Sequence, residues 1–198
     1  EYRRQRQMCI RDRKYTGILY LVVDTGTRVD TYNGESKLKH EVYICWELPE
    51  TKMADGRPFV IGNFYTITSG KFGPYFAKTS NANKMLRSWT GLDEKACSKA
   101  NLLGKLVADE TPCTISVAIQ QGKKDPTKEY NIIEMVKPYK GKTPPVRQNA
   151  PVLYALVDGP VPDEVPDWLH QRISDCLENT NPAAIETAKA NANADVPF

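Results

Sequence analysis

Residues 38–48 read Leu38-Lys39-His40-Glu41-Val42-Tyr43-Ile44-Cys45-Trp46-Glu47-Leu48. Leu38, His40, Val42, Ile44, Trp46 and Leu48 fall on one phase, and Lys39, Glu41, Tyr43, Cys45 and Glu47 on the other. Period two over eleven residues defines a β-strand, because successive side chains in a strand point to opposite faces. This strand is expected to bury the first phase and to expose the second. Pro49 ends it, and Asp55-Gly56 turns the chain into another β-rich run, 59–68, suited to antiparallel pairing with it. On the N-terminal side, residues 16–24 form a first strand (Ile18, Leu19, Tyr20, Leu21, Val22, Val23) that stops at Thr25-Gly26. A polar loop, 26–36, follows, with Arg28, Tyr32 and the turn pair Asn33-Gly34.

Downstream of the third strand, Ser80 or Asn81 is placed to cap a short helix over 82–89, closed by Gly91, and 100–106 forms a further helical turn. Residues 111–120 alternate again through Cys113, Ile115, Val117 and Ile119, and a loop over 121–127 leads to a last strand, 129–137. Five strands with a helix between the third and fourth match the order of an OB-fold, a Greek-key barrel widely used for oligonucleotides. The expected fold is therefore mainly β: a five-stranded OB-like Greek-key barrel over 15–140, with a C-terminal helix and a disordered tail. Other small barrels and sandwiches share this strand count.

Beyond Pro138 a Pro-rich linker, edge strand and helix occupy 141–178, with the edge strand at 152–157 and the helix at 167–177. That edge is open to an interface, a homodimer included, or to packing within the chain. Residues 179–198 have too little apolar bulk to bury and are expected to be disordered. At the other end, residues 1–14 are basic without an apolar stretch behind them, which fits no secretory signal. Residues 4–13 resemble translated sequencing-adaptor DNA and are set aside from the fold; the competing reading is a basic arm on nucleic acid.

The net charge of +3 is unevenly spread. Residues 1–14 carry +4, residues 15–147 carry +5, and residues 148–198 carry −6. A basic body joined to an acidic tail points to nucleic acid for one part and a different partner for the other. No run of about 18 apolar residues suggests a membrane span, and five scattered cysteines fit neither a disulfide framework nor a zinc site. The cytoplasm of a bacterial host is the expected location.

Catalysis finds little support. His40 and His170 lie far apart and belong to no metal-ligand spacing, and there is neither a phosphate-cradling glycine loop nor a nucleophile elbow. His40 reads as a satisfied core histidine, and Asp93-Glu94 and Asp109-Glu110 as solvated surface. No enzyme activity, cofactor or metal is expected.

Single-strand binding needs cations along the backbone path and flat rings on which bases stack. Residues 70–78 interleave the two: Lys71, Phe72, Tyr75, Phe76 and Lys78, where the rings either stack on bases or cover the barrel end. Lys39 and Tyr43 on the second strand and Phe64 on the third are expected to form a solvent-facing platform. Arg28, Tyr32 and Lys37 in one loop, and Lys123, Lys124 and Lys128 in another, would flank it.

The chain ends Asp195-Val196-Pro197-Phe198. These residues, at the end of a net acidic tail, resemble the C-terminal tip of bacterial single-stranded DNA-binding proteins, with Val196 where that family carries isoleucine and a single acidic residue immediately upstream. The resemblance implies a docking peptide for replication and repair proteins, with Phe198 entering an apolar pocket and its carboxylate meeting a basic residue. Trp46-Glu47-Leu48-Pro49 with Asp55-Gly56-Arg57-Pro58-Phe59 resembles small proteins of tailed-phage replication modules. The expected function is thus single-stranded DNA binding in phage-type replication, recombination or repair. The alternative is an adaptor that mimics the host docking peptide without binding DNA.

Overall fold

Strand β2 (Glu35–Lys52) pairs antiparallel with β1 (Arg13–Tyr32) on one side and β3 (Pro58–Gly70) on the other. In this computed structural model, residues 13–32, 35–70, 73–122 and 125–187 are described. A short β4 (Gly73–Tyr75) folds back on β3. Three helices follow, α1 (Asn81–Thr90), α2 (Glu94–Cys97) and α3 (Asn101–Ala108), and then the hairpin β5 (Pro112–Gln121) and β6 (Glu129–Pro138). Last come β7 (Val152–Tyr154), a 3-10 turn (Leu156–Asp158), α4 (Asp167–Ser174) and α5 (Leu177–Thr180). The sheet order is β4-β3-β2-β1-β5-β6, with β7 on β1. Its five long strands, with helices between the third and fourth of them, give the mainly-β, OB-like arrangement expected. Among the described residues β3 and β6 approach one another without a ladder between them, so the sheet is open rather than a closed barrel.

β1 is longer than the sequence suggested at both ends. Arg13 and Lys14 belong to it, opposite Val117 and Ser116, and it continues through the supposed polar loop to Tyr32. Register shifts at Leu19/Leu21 and Asp24/Thr27 supply the irregularities by which such a strand bends. Its edge away from β2 is taken by β5 over Arg13–Ile18 and by β7, in parallel, over Leu21–Val23. The suspected open edge at 152–157 is therefore a three-residue strand paired within the chain. Gly17 permits the close β1–β5 approach, since a Cβ there would meet Ile115 at 2.5 Å.

Helix α1 forms as its sequence dictates. The Ser80 side chain accepts from the Asn83 N–H, and Gly91, at φ 70°, closes the helix in the left-handed region. Its apolar face, Met85, Leu86 and Trp89, enters the main core with Leu19, Ile44, Trp46, Phe59, Phe76, Ile115 and Val136. Trp89 donates its indole N–H to the Pro112 carbonyl at 3.2 Å, satisfying the one polar atom the ring brings inside.

A second core lies on the opposite face of the sheet. Leu21, Val23, Tyr43 and Cys45 pack there against Val152, Tyr154, Val165, Leu169 and Ile173. Strand β2 is consequently buried on both faces from Glu41 to Pro49, where exposure of one phase was expected. The reason is that residues 141–180 are no free linker. Glu47, fully buried, accepts from the backbone N–H groups of Gln148 (2.6 Å) and Asn149 (2.8 Å) and from the Asn149 side-chain amide (2.6 Å). Three donors compensate a carboxylate taken out of water. The expected helix over 167–177 breaks after Ser174, and residues 182–187 are helical where disorder was expected.

Leu169 and Ile173 are fully buried in the second core, and each contributes roughly 1.5–3 kcal/mol by leaving water. The C-terminal segment is thus part of the fold and not a passing lid. Leu169→Ala should cost about 2–5 kcal/mol, measured by urea denaturation of the intact chain. A loss below about 1 kcal/mol would mean that α4 sits loosely on the sheet.

Candidate nucleic-acid interface

The expected stacking platform is covered. Tyr43 is 5 % exposed, and its ring lies 4.9 Å from Phe64 and, edge on, 5.1 Å from Trp168 of α4. Phe64 is half-buried, with Trp168 at 6.1 Å and the Arg172 guanidinium 4.2 Å above its ring. The two rings do adjoin, as predicted, but a helix of the same chain occupies the place of a base. Arg172 also donates to buried Glu41, which pairs with Lys39 at 2.8 Å. Burial opposes ionisation of Glu41, and the hydrogen bonds from Lys39 and Arg172 outweigh it, holding the carboxyl below its ordinary value. Arg28, expected in a polar loop, lies in β1 and donates to the Arg172 carbonyl. Its pKa is lowered, first by burial and then by the neighbouring Arg172 charge.

Trp168, Arg172 and Glu178 were not singled out from sequence as site residues. Arg172 had a signal: it is the one lysine or arginine between positions 148 and 188, in an otherwise acidic stretch. Such a lone cation is a candidate partner for a buried carboxylate.

One polar latch ties α5 to the far end of β1. Glu178 accepts from the Thr27 backbone N–H at 2.7 Å and from its hydroxyl at 2.6 Å. His40 Nε2 stands 2.7 Å from Asp24 Oδ1, while its Nδ1 is 3.2 Å from the Thr27 hydroxyl and 3.6 Å from Glu178. The expected core histidine is therefore a partnered, half-buried one. A Cβ on Gly26, at φ 74°, would meet Cys176 at 2.6 Å, so the latch needs glycine there twice over, for conformation and for space.

A polar cleft of about 410 Å³ is lined by Lys39, Asn63, Phe64, Thr66, Ser80 and Asn81, among others. It brings two predicted residues, Lys39 and Phe64, beside the start of α1. Lys78, one residue beyond the lining Ala77, is exposed and pairs with Glu94 at 3.3 Å. Hydroxyl, amide and ammonium donors there suit an anionic ligand. Of the remaining predicted residues, Phe76 is fully buried in the core, whereas Tyr75 is exposed on β4. Lys37 is exposed on β2, not in a loop, and Tyr32 ends β1. Lys128 is exposed and 3.2 Å from Asp125. Lys71, Phe72, Lys123, Lys124 and the tip Asp195, Val196, Pro197 and Phe198 lie outside the described residues.

Asp93, Asp109 and Glu110 are exposed, as expected, and Glu94 is half-buried; Asp93 also caps α2 by accepting from the Ala96 N–H at 2.7 Å, and Glu110 pairs with Arg147 at 3.1 Å. No helix among the described residues is long and apolar enough to cross a membrane. The chain matches no protein-family model, no curated protein and no solved structure.

The latch makes attachment of α5 depend on pH. Burial disfavours charged His40, but the hydrogen bond and charge of Asp24, with the charge of Glu178, raise its pKa above the ordinary 6.5. Its contribution is complete below that value and is lost as pH rises through the folded one. Glu178 is also opposed by burial, yet the Thr27 donors hold it below its ordinary 4.5. Its contribution is present above 4.5 and lost as pH falls through the folded value. Both operate between pH 4.5 and 6.5. The stability lost in His40→Gln, read from urea curves at several pH values, should be greatest in that window and shrink as pH rises well above neutrality. A pH-independent loss would contradict this assignment.

Proposed function

We propose that the chain is a non-catalytic single-stranded DNA-binding protein of phage-type replication and recombination, acting in the cytoplasm of a bacterial host. The observation that carries this reading is the strand order, in which five long strands and the intervening helices follow the OB-like plan that so often holds oligonucleotides. Charge supports it locally: residues 15–147 carry net +5, which attracts a polyanion, while the acidic residues of 148–180 fold against one face of the sheet and offset that charge in the sum. The cleft beside Lys39 and α1 is the part of the predicted face that remains open, and it supplies donors for phosphate oxygens. Tyr43 and Phe64 support the second core in this reading and do not stack on bases.

The docking role rests on Asp195-Val196-Pro197-Phe198. In this reading Pro197 restricts the free peptide and lowers the entropy lost when Phe198 enters a partner's pocket. The protein would coat transient single strands and recruit replication or repair proteins to them.

Titration with oligo-dT at several salt concentrations tests the binding role. Affinity should fall with salt at a log-log slope of about −0.7 per phosphate neutralised. An unshifted oligonucleotide at low salt would leave the adaptor reading in its place. Removing residues 188–198, which keeps every described element, should leave oligonucleotide affinity equal or higher while abolishing capture of single-strand-processing proteins. A large loss of oligonucleotide affinity on this truncation would place binding in the tail.

A further inference from the structure

With residues 151–180 seated on the outer face of β1, β2 and β3, the other outward sheet surface belongs to β5 and β6, and their register decides what it carries. Cys113, Ile115 and Val117 point into the main core, opposite Val136 and Ile133. Ser116, Ala118 and Gln120 therefore point outward, together with their partners Met135, Ile132 and Tyr130. Two lysines extend the same face: Lys14 of β1 pairs with Ser116, and Lys137 of β6 pairs with Thr114. Tyr130 is 53 % exposed and Met135 43 % exposed.

At the hairpin end the Gly122 N–H donates to the Lys128 carbonyl at 2.8 Å, which brings Lys128 in beside the start of β6. A Cβ on Gly122 would come within 2.9 Å of the Tyr130 ring, so the bare glycine gives the ring its place. Of the nearby carboxylates, Glu129 falls on the inward phase beyond the core, Glu134 occupies the register shift, and Asp125 is paired with Lys128.

We propose that this strip is a path for a single-stranded polynucleotide, with Tyr130 stacking on a base, Ile132 and Met135 forming an apolar floor, and Lys14 and Lys137 meeting phosphates. The inference rests on the binding role proposed above and assigns that role a surface. Charge selects the occupant. An exposed ring and apolar side chains bordered by lysines match the alternation of flat bases and anionic phosphates in one strand. A duplex would hide the base faces that Tyr130 needs.

The test is oligo-dT titration of the full chain carrying single substitutions. Tyr130→Ala should weaken binding about tenfold with an unchanged melting temperature, whereas Tyr130→Phe should bind like the wild type, because stacking needs the ring and not the hydroxyl. Lys137→Ala should reduce the salt slope by about 0.7. Wild-type binding that is indifferent to both Tyr130→Ala and Lys137→Ala would overturn the path and leave the binding role standing. A wild-type chain that ignores oligo-dT would overturn both. Loss of self-association instead of oligonucleotide affinity in Tyr130→Ala would make the strip an interface between copies and overturn the proposal.

Discussion

Two carboxylates on one phase of a buried strand set the conditions for the rest of this structure. Glu41 and Glu47 share the outer phase of β2 with Tyr43 and Cys45, and both are removed from water. An isolated buried carboxylate is far too costly to persist, so each needs donors, and of these the strand itself supplies only Lys39. Lys39 and Arg172 serve Glu41, and the 148–149 backbone serves Glu47. Each arrangement requires the chain beyond β6 to return across the sheet. Once it has returned, Val165, Leu169 and Ile173 bury Leu21, Val23, Tyr43 and Cys45, and the second core stabilises the path that the carboxylates require.

Much of the fold was legible because it is local. Period two in residues 38–48, the Ser80 cap with Gly91, and the alternation of Cys113, Ile115 and Val117 each declare one element through its own spacing. What the sequence hides is the second face of β2. Tyr43 and Cys45 share a phase with Lys39, Glu41 and Glu47, so the phase reads as polar, although two of its members are readily buried and two of its charges find partners more than a hundred residues away. The long extension of β1 past Gly26 was also hidden. Its Thr27–Tyr32 stretch is polar, and it is held by pairing with β2 rather than by its own pattern.

The candidate site divides along the same line. Residue types were legible: rings and lysines do line exposed parts of the sheet. Placement was not, because it depends on where α4 lies. Tyr43 and Phe64 are side by side, but Trp168 and Arg172 cover them, while Tyr130, unremarkable in sequence, stands exposed on an outward strip with Lys14 and Lys137. Opening α4 to bare Tyr43 would expose Leu21, Val23, Leu169 and Ile173 together, at roughly 1.5–3 kcal/mol for each side chain. A binding surface outside the second core avoids that cost entirely.

On the proposed reading, single-stranded DNA binds while the C-terminal segment stays in place. Chemical-shift mapping of the isotope-labelled chain during oligo-dT addition addresses this directly. Shifts are expected at Tyr130, Ile132, Lys137 and the cleft around Lys39, with the methyl signals of Leu21, Val23, Leu169 and Ile173 unmoved. Large shifts of those four methyl-bearing residues, with loss of amide protection across α4, would show that DNA displaces the segment, and would contradict binding on the closed fold.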